Sequence, residues 1–212
     1  MNYKKPRLVM ALGSRGGCLA FKQVMEELYS DILKKGAVYL VEHRYRPENE
    51  GLVLDFESMG MDLNTHEVRD GMLLENGFFF CPGIVHERDK VPSTAIKEDE
   101  KSGLVCFHYF ETHPQFYRMF TFQVEKALQA GYGEDLLIAF LSGHGDDGCD
   151  VLEKSRKRGS KFIIQDPDTA AVGAMPKTVI TMANLSGMEE GKDYEVLPPG
   201  EIGYRINDFF SR

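Results

Sequence analysis

The chain has 212 residues, and 33 acidic against 25 basic side chains give it a formal net charge of −8 at pH 7. This length favours one domain, so we expect a single domain over residues 1–212. The acidic balance argues against nucleic acid as a partner, because proteins that bind a phosphate backbone concentrate Lys and Arg on one face. The sequence contains no apolar run near the roughly 18 residues of a membrane span, and it opens with no charged-then-apolar leader. We therefore expect a cytoplasmic protein without membrane insertion.

Cysteines and histidines show no metal-binding pattern. The four cysteines stand singly at positions 18, 81, 106 and 149, without the C-x-x-C spacing of a zinc or redox motif. The histidines at positions 86, 108 and 113 are scattered among residues that are poor metal ligands. We therefore expect no metal site. Basic residues cluster between Lys154 and Lys161, which is typical of a solvated helix end.

Strands and helices alternate along the chain, which predicts an α/β fold with a doubly wound, mostly parallel sheet flanked by helices. In chain order, the predicted elements are a strand over residues 7–12, a helix over 17–35 ended by Gly36, a strand over 37–43, a helix over 47–59, an extended run over 103–110, a helix over 114–130, a strand over 135–142, a helix over 150–158, a final strand over 161–165 and a helix over 176–184. Residues 65–103 break into short apolar pieces at 67–72, 78–81 and 84–87. These pieces indicate small strands and a β-hairpin insertion in the middle third.

The turn from Gly13 to Gly17 is the most informative stretch, because the apolar first strand stops there and a helix begins. Glycines around Ser14 let the backbone bend sharply, and the first amide groups of the helix point back at whatever occupies the turn. Such a turn suits a nucleophilic serine, since a helix N-terminus stabilises a negative oxygen on the substrate. It suits a phosphate equally well, and Ser14 can also serve merely as the helix N-cap.

Three loops that carry Ser14, His43 and Asp147 follow strands of the predicted sheet. Because ligands of open parallel sheets bind beyond the carboxyl ends of the strands, we expect these loops to meet. A serine hydroxyl, an imidazole that takes its proton and a carboxylate that orients the imidazole are the side chains of nucleophilic acyl transfer. The chain order Ser, His, Asp and the Leu12 in place of the first glycine of a G-x-S-x-G elbow exclude an ordinary α/β-hydrolase.

Other interpretations of these residues remain open from the sequence. His43 can be an ordinary histidine at a strand end, and acids are favoured at a helix start in any case, so the residues alone do not separate Asp147 from Asp146. Arg15 can contact a substrate, point to solvent, or pair with Glu42 or Asp146.

A nucleotide site is one rival function. The turn after the first strand, with Glu42 at the end of the second, imitates a Rossmann site in which an acid holds a ribose. The glycine spacing departs from G-x-G-x-x-G at Arg15 and Cys18, which weighs against this function.

Five motifs follow one another along the chain: L-G-S-R-G-G at 12–17, E-H at 42–43, P-G-I-V-H at 82–86, G-H-G-D-D-G at 143–148 and Q-D-P-D-T-A-A-V-G-A-M-P-K at 165–177. In this series the sequence resembles the catalytic domain of the chemotaxis protein-glutamate methylesterases, the CheB family. That family has G-A-S-T-G-G, Q-H, P-G-G-x-H, G-M-G-N-D-G and Q-x-x-x-S-x-V-x-G-M-P in the same order. The resemblance covers nearly the whole chain.

The resemblance implies that Ser14 is the nucleophile, His43 the base and Asp147 the carboxylate that orients it. The residues that it implies for oxyanion and substrate binding are Arg15, Gly16 and His144. Backbone N–H groups after the nucleophile and inside the second glycine-rich turn act as the donors in the family, and backbone donors survive side-chain change.

In function, the resemblance implies a serine hydrolase that removes the γ-methyl ester of a glutamate on a receptor-like protein and releases methanol, with glutamine deamidation as a second activity. It implies no cofactor and a methylated receptor-like protein as the partner. Family members typically carry an N-terminal receiver domain, which this sequence does not contain. We therefore expect activity that is independent of small phosphodonors, or control by a regulatory partner in trans.

Several residues depart from the family's pattern: Leu12, Arg15, Glu42, His144 and the Gln-Phe-Tyr at 115–117, where the family has S-V-D. They surround the expected substrate, so they bear on specificity and on activity. A catalytically inactive relative that is retained as an interaction module is therefore a second rival function.

Overall fold

A computed structural model describes residues 3–28, 31–44, 65–84, 94–110 and 118–212. The strands are β1 (Arg7–Gly13), β2 (Gly36–Arg44), β3 (Thr65–Glu67), β4 (Gly77–Ile84), β5 (Thr94–Glu98), β6 (Val105–Tyr109), β7 (Leu136–Phe140), β8 (Lys161–Gln165) and β9 (Tyr194–Leu197). The α-helices are α1 (Gly17–Glu26), α2 (Met119–Gln129), α3 (Leu152–Lys157), α4 (Ala174–Leu185) and α5 (Pro199–Ser211).

Seven strands form one sheet in the order β3-β4-β2-β1-β7-β8-β9, and every neighbouring pair in it is parallel. Strands β5 and β6 form a separate antiparallel hairpin. The predicted doubly wound parallel sheet with a small hairpin is thus confirmed. Strand β1 lies at the centre, which explains why its apolar run from Leu8 to Leu12 is uninterrupted: both faces of the strand are covered.

Alternate side chains of β1 enter two separate cores, as the period of a strand requires. Val9 and Ala11 pack with α1 and α5 on one face of the sheet. Leu8, Met10 and Leu12 pack with α2, α4 and the hairpin on the other face. Each such fully buried aliphatic side chain stabilises the fold by about 1.5–3 kcal/mol.

The predicted helix over residues 17–35 is wrong in its second half. Helix α1 ends at Glu26, a short 3-10 helix follows at Ile32–Lys34, and Gly36 begins β2 instead of ending a helix. Helix α1 has to span only the length of β1, the strand before it. The residues after Glu26 therefore turn the chain towards β2. Gly36 is required by packing, since a Cβ there would lie 2.0 Å from the Phe210 ring of α5.

The middle third also differs from the prediction. Residues 78–81 belong to β4, an eight-residue strand of the main sheet, because Phe78, Phe79 and Phe80 are buried on both faces. The hairpin lies later, in β5 and β6. The strand over 161–165 is not the last one, because β9 follows it and forms an edge of the sheet. Its four residues are too few for a strand to be recognised from an apolar-polar alternation in the sequence.

Two predicted helices include residues that lie outside the described part of the chain. The predicted helix over 47–59 lies outside the described residues, as does the start of the one over 114–130, whose described part is α2. Among the described helices, none combines the length and the apolar character needed to cross a bilayer. The basic cluster near α3 is largely paired with acids, through Lys154 with Glu125 and Lys157 with Glu153.

Candidate active site

The carboxyl ends of β2, β1 and β7 lie side by side at one edge of the sheet. In the strand register Leu12 lies between Val41 and Phe140, and the Ser14 N–H donates to the Ser142 carbonyl at 3.0 Å. Gly13 pairs with Glu42, so the backbone of Ser14 follows at the level of His43. The loops after β1 and β7 thus meet, whereas His43 lies within β2, and the loop after it lies outside the described residues.

Ser14 opens a tight turn that leads into α1. Its carbonyl accepts the Gly17 N–H at 2.8 Å, and Gly16 has φ +81° and ψ −2°, a conformation that favours glycine. Gly16, without a side-chain hydrogen bond, is the N-cap of α1. The interpretation of Ser14 as the N-cap of this helix is therefore wrong, and its half-buried hydroxyl is directed elsewhere.

The Ser14 hydroxyl faces the second glycine-rich turn. Its Oγ accepts the backbone N–H of His144 at 3.0 Å. A Cβ on Gly143 would lie 2.3 Å from the same oxygen and 3.1 Å from the methyl group of Met175. The glycine at position 143 is thus what allows the backbone of this turn to approach the serine.

Asp147, within this turn, is 5% exposed, whereas Asp146 is exposed. Its two carboxylate oxygens accept the backbone N–H groups of Phe120 at 2.7 Å and Thr121 at 2.9 Å, at the N-terminus of α2. Burial raises the pKa of the Asp147 carboxyl to about 6, because loss of water penalises the charged form, while these hydrogen bonds and Arg118 act in the opposite direction. The structure therefore distinguishes Asp147 from Asp146 as the acid with the perturbed environment.

A third hydrogen bond reinforces this junction, because the Thr121 hydroxyl accepts the Gly148 N–H at 3.1 Å. Asp150 also forms an ion pair with Arg118. Three hydrogen bonds and one ion pair consequently join residues 147–150 to the N-terminal end of α2. Each oxygen of a carboxylate has a second lone pair, so Asp147 retains capacity for a further donor such as an imidazole N–H.

The position of His43 is known from its backbone only. It lies near the end of β2 and pairs with Gly83 of β4 in the register. Its side chain lies outside the described residues, so its contact with Ser14 and Asp147 stays a prediction.

The predicted oxyanion residues differ in their surroundings. Arg15 is exposed, and across the described part of the chain it forms no ion pair, neither with Asp146 nor with another acid. The N–H groups of Arg15 and Gly16 donate to no acceptor among the described residues. The His144 side chain is exposed.

Sequence reasoning missed two polar residues behind the site. Ser142 is fully buried, and Gln165 at the end of β8 is 1% exposed. The Gln165 side-chain oxygen accepts the Ser142 N–H at 2.8 Å. A signal was present in the sequence, since a polar residue ends each of two apolar strands. Burial of such a residue costs free energy unless a hydrogen bond compensates.

Clusters of three or more metal-binding side chains do not occur among the described residues. The acids near the turn are engaged otherwise: Asp147 with the backbone of α2, and Asp150 with Arg118.

Comparison with known proteins gives related sequences and folds. A model of the family described as CheB methylesterase matches residues 9–206. The protein-glutamate methylesterase/protein-glutamine glutaminase 3 of Anaeromyxobacter dehalogenans is 26% identical over 201 residues, which are 94% of this chain and 53% of that protein. A protein of the same name from Rhodospirillum rubrum is 32% identical over 107 residues, or 50% of this chain and 25% of that protein.

The protein-glutamate methylesterase/protein-glutamine glutaminase of Methanosarcina barkeri is 26% identical over 181 residues, or 82% of this chain and 46% of that protein. The chain thus spans about half the length, or less, of these curated relatives. The crystal structure of the Thermotoga maritima CheB methylesterase catalytic domain superposes with a TM-score of 0.72 at 21% identity, covering 97% of this chain and 99% of that one. The fold is therefore shared, and with a family match over residues 9–206 the chain belongs to the CheB methylesterase family.

Proposed function

We propose that this chain is a serine hydrolase that removes the γ-methyl ester from a glutamate side chain of a receptor-like protein. The observation that carries the proposal is the contact between the Ser14 hydroxyl and the His144 N–H, 3.0 Å apart, in front of the N-terminus of α1. Membership of the family supports the class of reaction. The names of the curated relatives include glutaminase, which supports glutamine deamidation as a second reaction of the same site.

In the proposed reaction, His43 takes the proton of the Ser14 hydroxyl as the oxygen attacks the ester carbonyl. A C–O bond forms, and the carbonyl electrons move onto its oxygen. The protonated His43 then returns the proton to the methoxy oxygen, so that methanol leaves and an acyl-enzyme remains. Water, deprotonated by His43, hydrolyses the acyl-enzyme to the glutamate carboxylate and free Ser14.

Backbone donors support the negative oxygen that develops during attack. An N–H that lies 3.0 Å from the nucleophilic oxygen in the free protein, as that of His144 does, can reach the substrate oxygen, which is only two bonds further away. The N–H groups of Arg15 and Gly16 lie in the same turn and are available for the same role. Loss of one such donor typically lowers kcat about 10²–10³-fold.

Asp147 completes the proposed set by holding the His43 imidazole in the orientation that accepts the serine proton. Its fixation on the α2 backbone through Phe120 and Thr121 supports this role, because a carboxylate that is locked at two oxygens cannot rotate away. Its raised pKa implies that the carboxylate form, which the role requires, prevails only above about pH 6.

The proposal is tested by treating the protein with a serine-directed phosphonate and mapping the adduct. We expect labelling of Ser14 alone and not of Ser142 or Ser160. His43→Ala should suppress the labelling, whereas His108→Ala, a matched change on β6, should leave it unchanged.

Labelling spread over all three serines would contradict the nucleophile assignment. No labelling of the folded protein would favour an inactive interaction module, and in that case added nucleotide that raises the melting temperature would indicate the Rossmann-like function instead. A methylated glutamate peptide that releases methanol with the wild type, but not with Ser14→Ala, would establish the reaction itself.

A further inference from the structure

Ser142, which the proposed mechanism does not use, forms hydrogen bonds with four residues among the loops of the site. Its hydroxyl donates to the Arg15 carbonyl at 2.9 Å, with the Val172 carbonyl as a longer alternative acceptor at 3.3 Å, and it accepts the Val172 N–H at 2.9 Å. Its own carbonyl accepts the Ser14 N–H at 3.0 Å, and its N–H donates to the Gln165 side chain at 2.8 Å. A fully buried serine thereby joins the turn after β1 to the loops after β7 and β8.

The bond to the Arg15 carbonyl falls on the central peptide of the Ser14 turn. Gly16 has φ +81° and ψ −2°, and the described residues other than glycine all have negative φ, so Arg15 does as well. These angles define a type II turn, which differs from a type I turn by reversal of the peptide between the two central residues. Because Gly16 is glycine, the backbone tolerates either orientation.

The side of the turn that faces Ser142 is closed by packing. A Cβ on Gly16 would lie 2.7 Å from the Ser142 oxygen and 2.8 Å from the Ala171 methyl group. A carbonyl directed to that side is satisfied by the Ser142 hydroxyl. In a trans peptide the N–H points opposite to the carbonyl, so the Gly16 N–H is directed away from this closed side.

We propose that Ser142 is a positioning residue that holds the Arg15–Gly16 peptide in its type II orientation and so keeps the Gly16 N–H available to the substrate oxygen. Gln165 acts behind it by fixing the backbone of Ser142. This inference rests on the proposed esterase function for its kinetic consequence, whereas its geometric part stands on the hydrogen bonds alone.

The test compares Ser142→Ala with Ser142→Thr and Ser155→Ala. Ser142→Ala removes the hydroxyl, and Ser142→Thr retains it. Ser155 is a matched control, because it is equally buried and its hydroxyl has no hydrogen-bond partner among the described residues. With a methylated glutamate peptide, we expect Ser142→Ala to lower kcat about tenfold to a hundredfold with little change in KM. Ser142→Thr should restore most of kcat, and Ser155→Ala should match the wild type.

Backbone NMR gives a readout that does not depend on activity. In Ser142→Ala the Val172 amide should lose protection from hydrogen exchange, and the Gly16 amide and Cα resonances should shift, because the peptide before Gly16 is free to reverse. Ser155→Ala should leave both residues unchanged. If Ser142→Ala does not fold, Ser142→Cys retains the volume with a weaker donor and is compared in the same way.

An unchanged kcat in Ser142→Ala, while the Val172 amide shows that its hydrogen bond is lost, would overturn the proposal. If the wild type itself hydrolyses no ester, the proposed function has failed, and the NMR comparison alone decides the role of Ser142. In that case unchanged Gly16 resonances would overturn it, and shifted ones would support it.

Discussion

Replacement of Asp147 by Asn separates the charge of this residue from its hydrogen bonds. The carboxylate accepts the N–H groups of Phe120 and Thr121. An Asn side chain can accept one of them, but its NH2 group then faces the other donor, at a cost of roughly 1–2 kcal/mol. The same change removes a buried charge. The rise of the Asp147 pKa from 3.8 to about 6 corresponds to a penalty of about 3 kcal/mol on the ionised carboxyl in the folded state.

The two effects have different pH dependence. Because the folded-state pKa is raised, the stability contributed by the Asp147 carboxyl is fully present below pH 3.8 and is lost as the pH rises through about 6. Asn does not titrate. We therefore expect the wild type to be more stable than Asp147→Asn by roughly 1–2 kcal/mol near pH 4, and less stable by about 1–2 kcal/mol at pH 8.

The assay is urea unfolding followed by circular dichroism at pH 4.5, 5.5, 7 and 8, with Asp146→Asn as the exposed control. The same preparations are assayed for ester hydrolysis at pH 8, where Asp147→Asn should lower turnover about 10³–10⁴-fold despite its retained stability. A difference in unfolding free energy that is constant across this range would refute the buried-charge reasoning. Loss of activity in Asp146→Asn, with Asp147→Asn harmless, would show that the wrong acid of the turn had been chosen.

Three further predictions follow from single contacts. Gly143→Ala should abolish phosphonate labelling of Ser14, because its Cβ would lie 2.3 Å from the hydroxyl and displace it from the position proposed for attack; labelling at the wild-type rate would contradict the turn geometry. Arg15→Thr should remove a preference of about twofold to fivefold for a methylated peptide with a neighbouring Glu over one with Gln, and added salt should weaken that preference in the wild type; equal selectivity of both proteins would exclude a role of Arg15 in substrate choice. Gly133→Ala should lower the free energy of unfolding by about 1–3 kcal/mol in urea, since its Cβ would lie 2.4 Å from the Arg158 carbonyl oxygen; an unchanged transition would mean that this contact relaxes freely.

Much of the fold can be predicted from the sequence, because a central parallel strand is buried on both faces and is therefore apolar along its whole length. The run from Leu8 to Leu12 and the run from Leu136 to Phe140 are each apolar throughout and end at glycine-rich turns. Local pattern is sufficient in such cases, since no alternative burial would accommodate these residues. The same pattern was misassigned at 78–81, where the apolar run was predicted as part of small strands and a hairpin although it lies in the first part of β4.

Helix length was less predictable. The apolar spacing over residues 17–35 continues past Glu26, where α1 ends. Nothing local stops the helix there. Its end is set by the distance that the chain must return to begin β2 and by the packing of Phe210 against Gly36, which joins residues 174 positions apart.

The sequence by itself determined the parallel α/β class and the two glycine-rich turns, because buried strands and turns follow from local residue choice, and it predicts a catalytic role for Ser14, His43 and Asp147. Tertiary structure alone decided that Asp147 rather than Asp146 is buried on the α2 backbone. It also decided that Ser142 joins three loops. These facts depend on hydrogen bonds between residues that are distant in the chain, and such bonds exist only once the strand register has brought the loops together at one edge of the sheet.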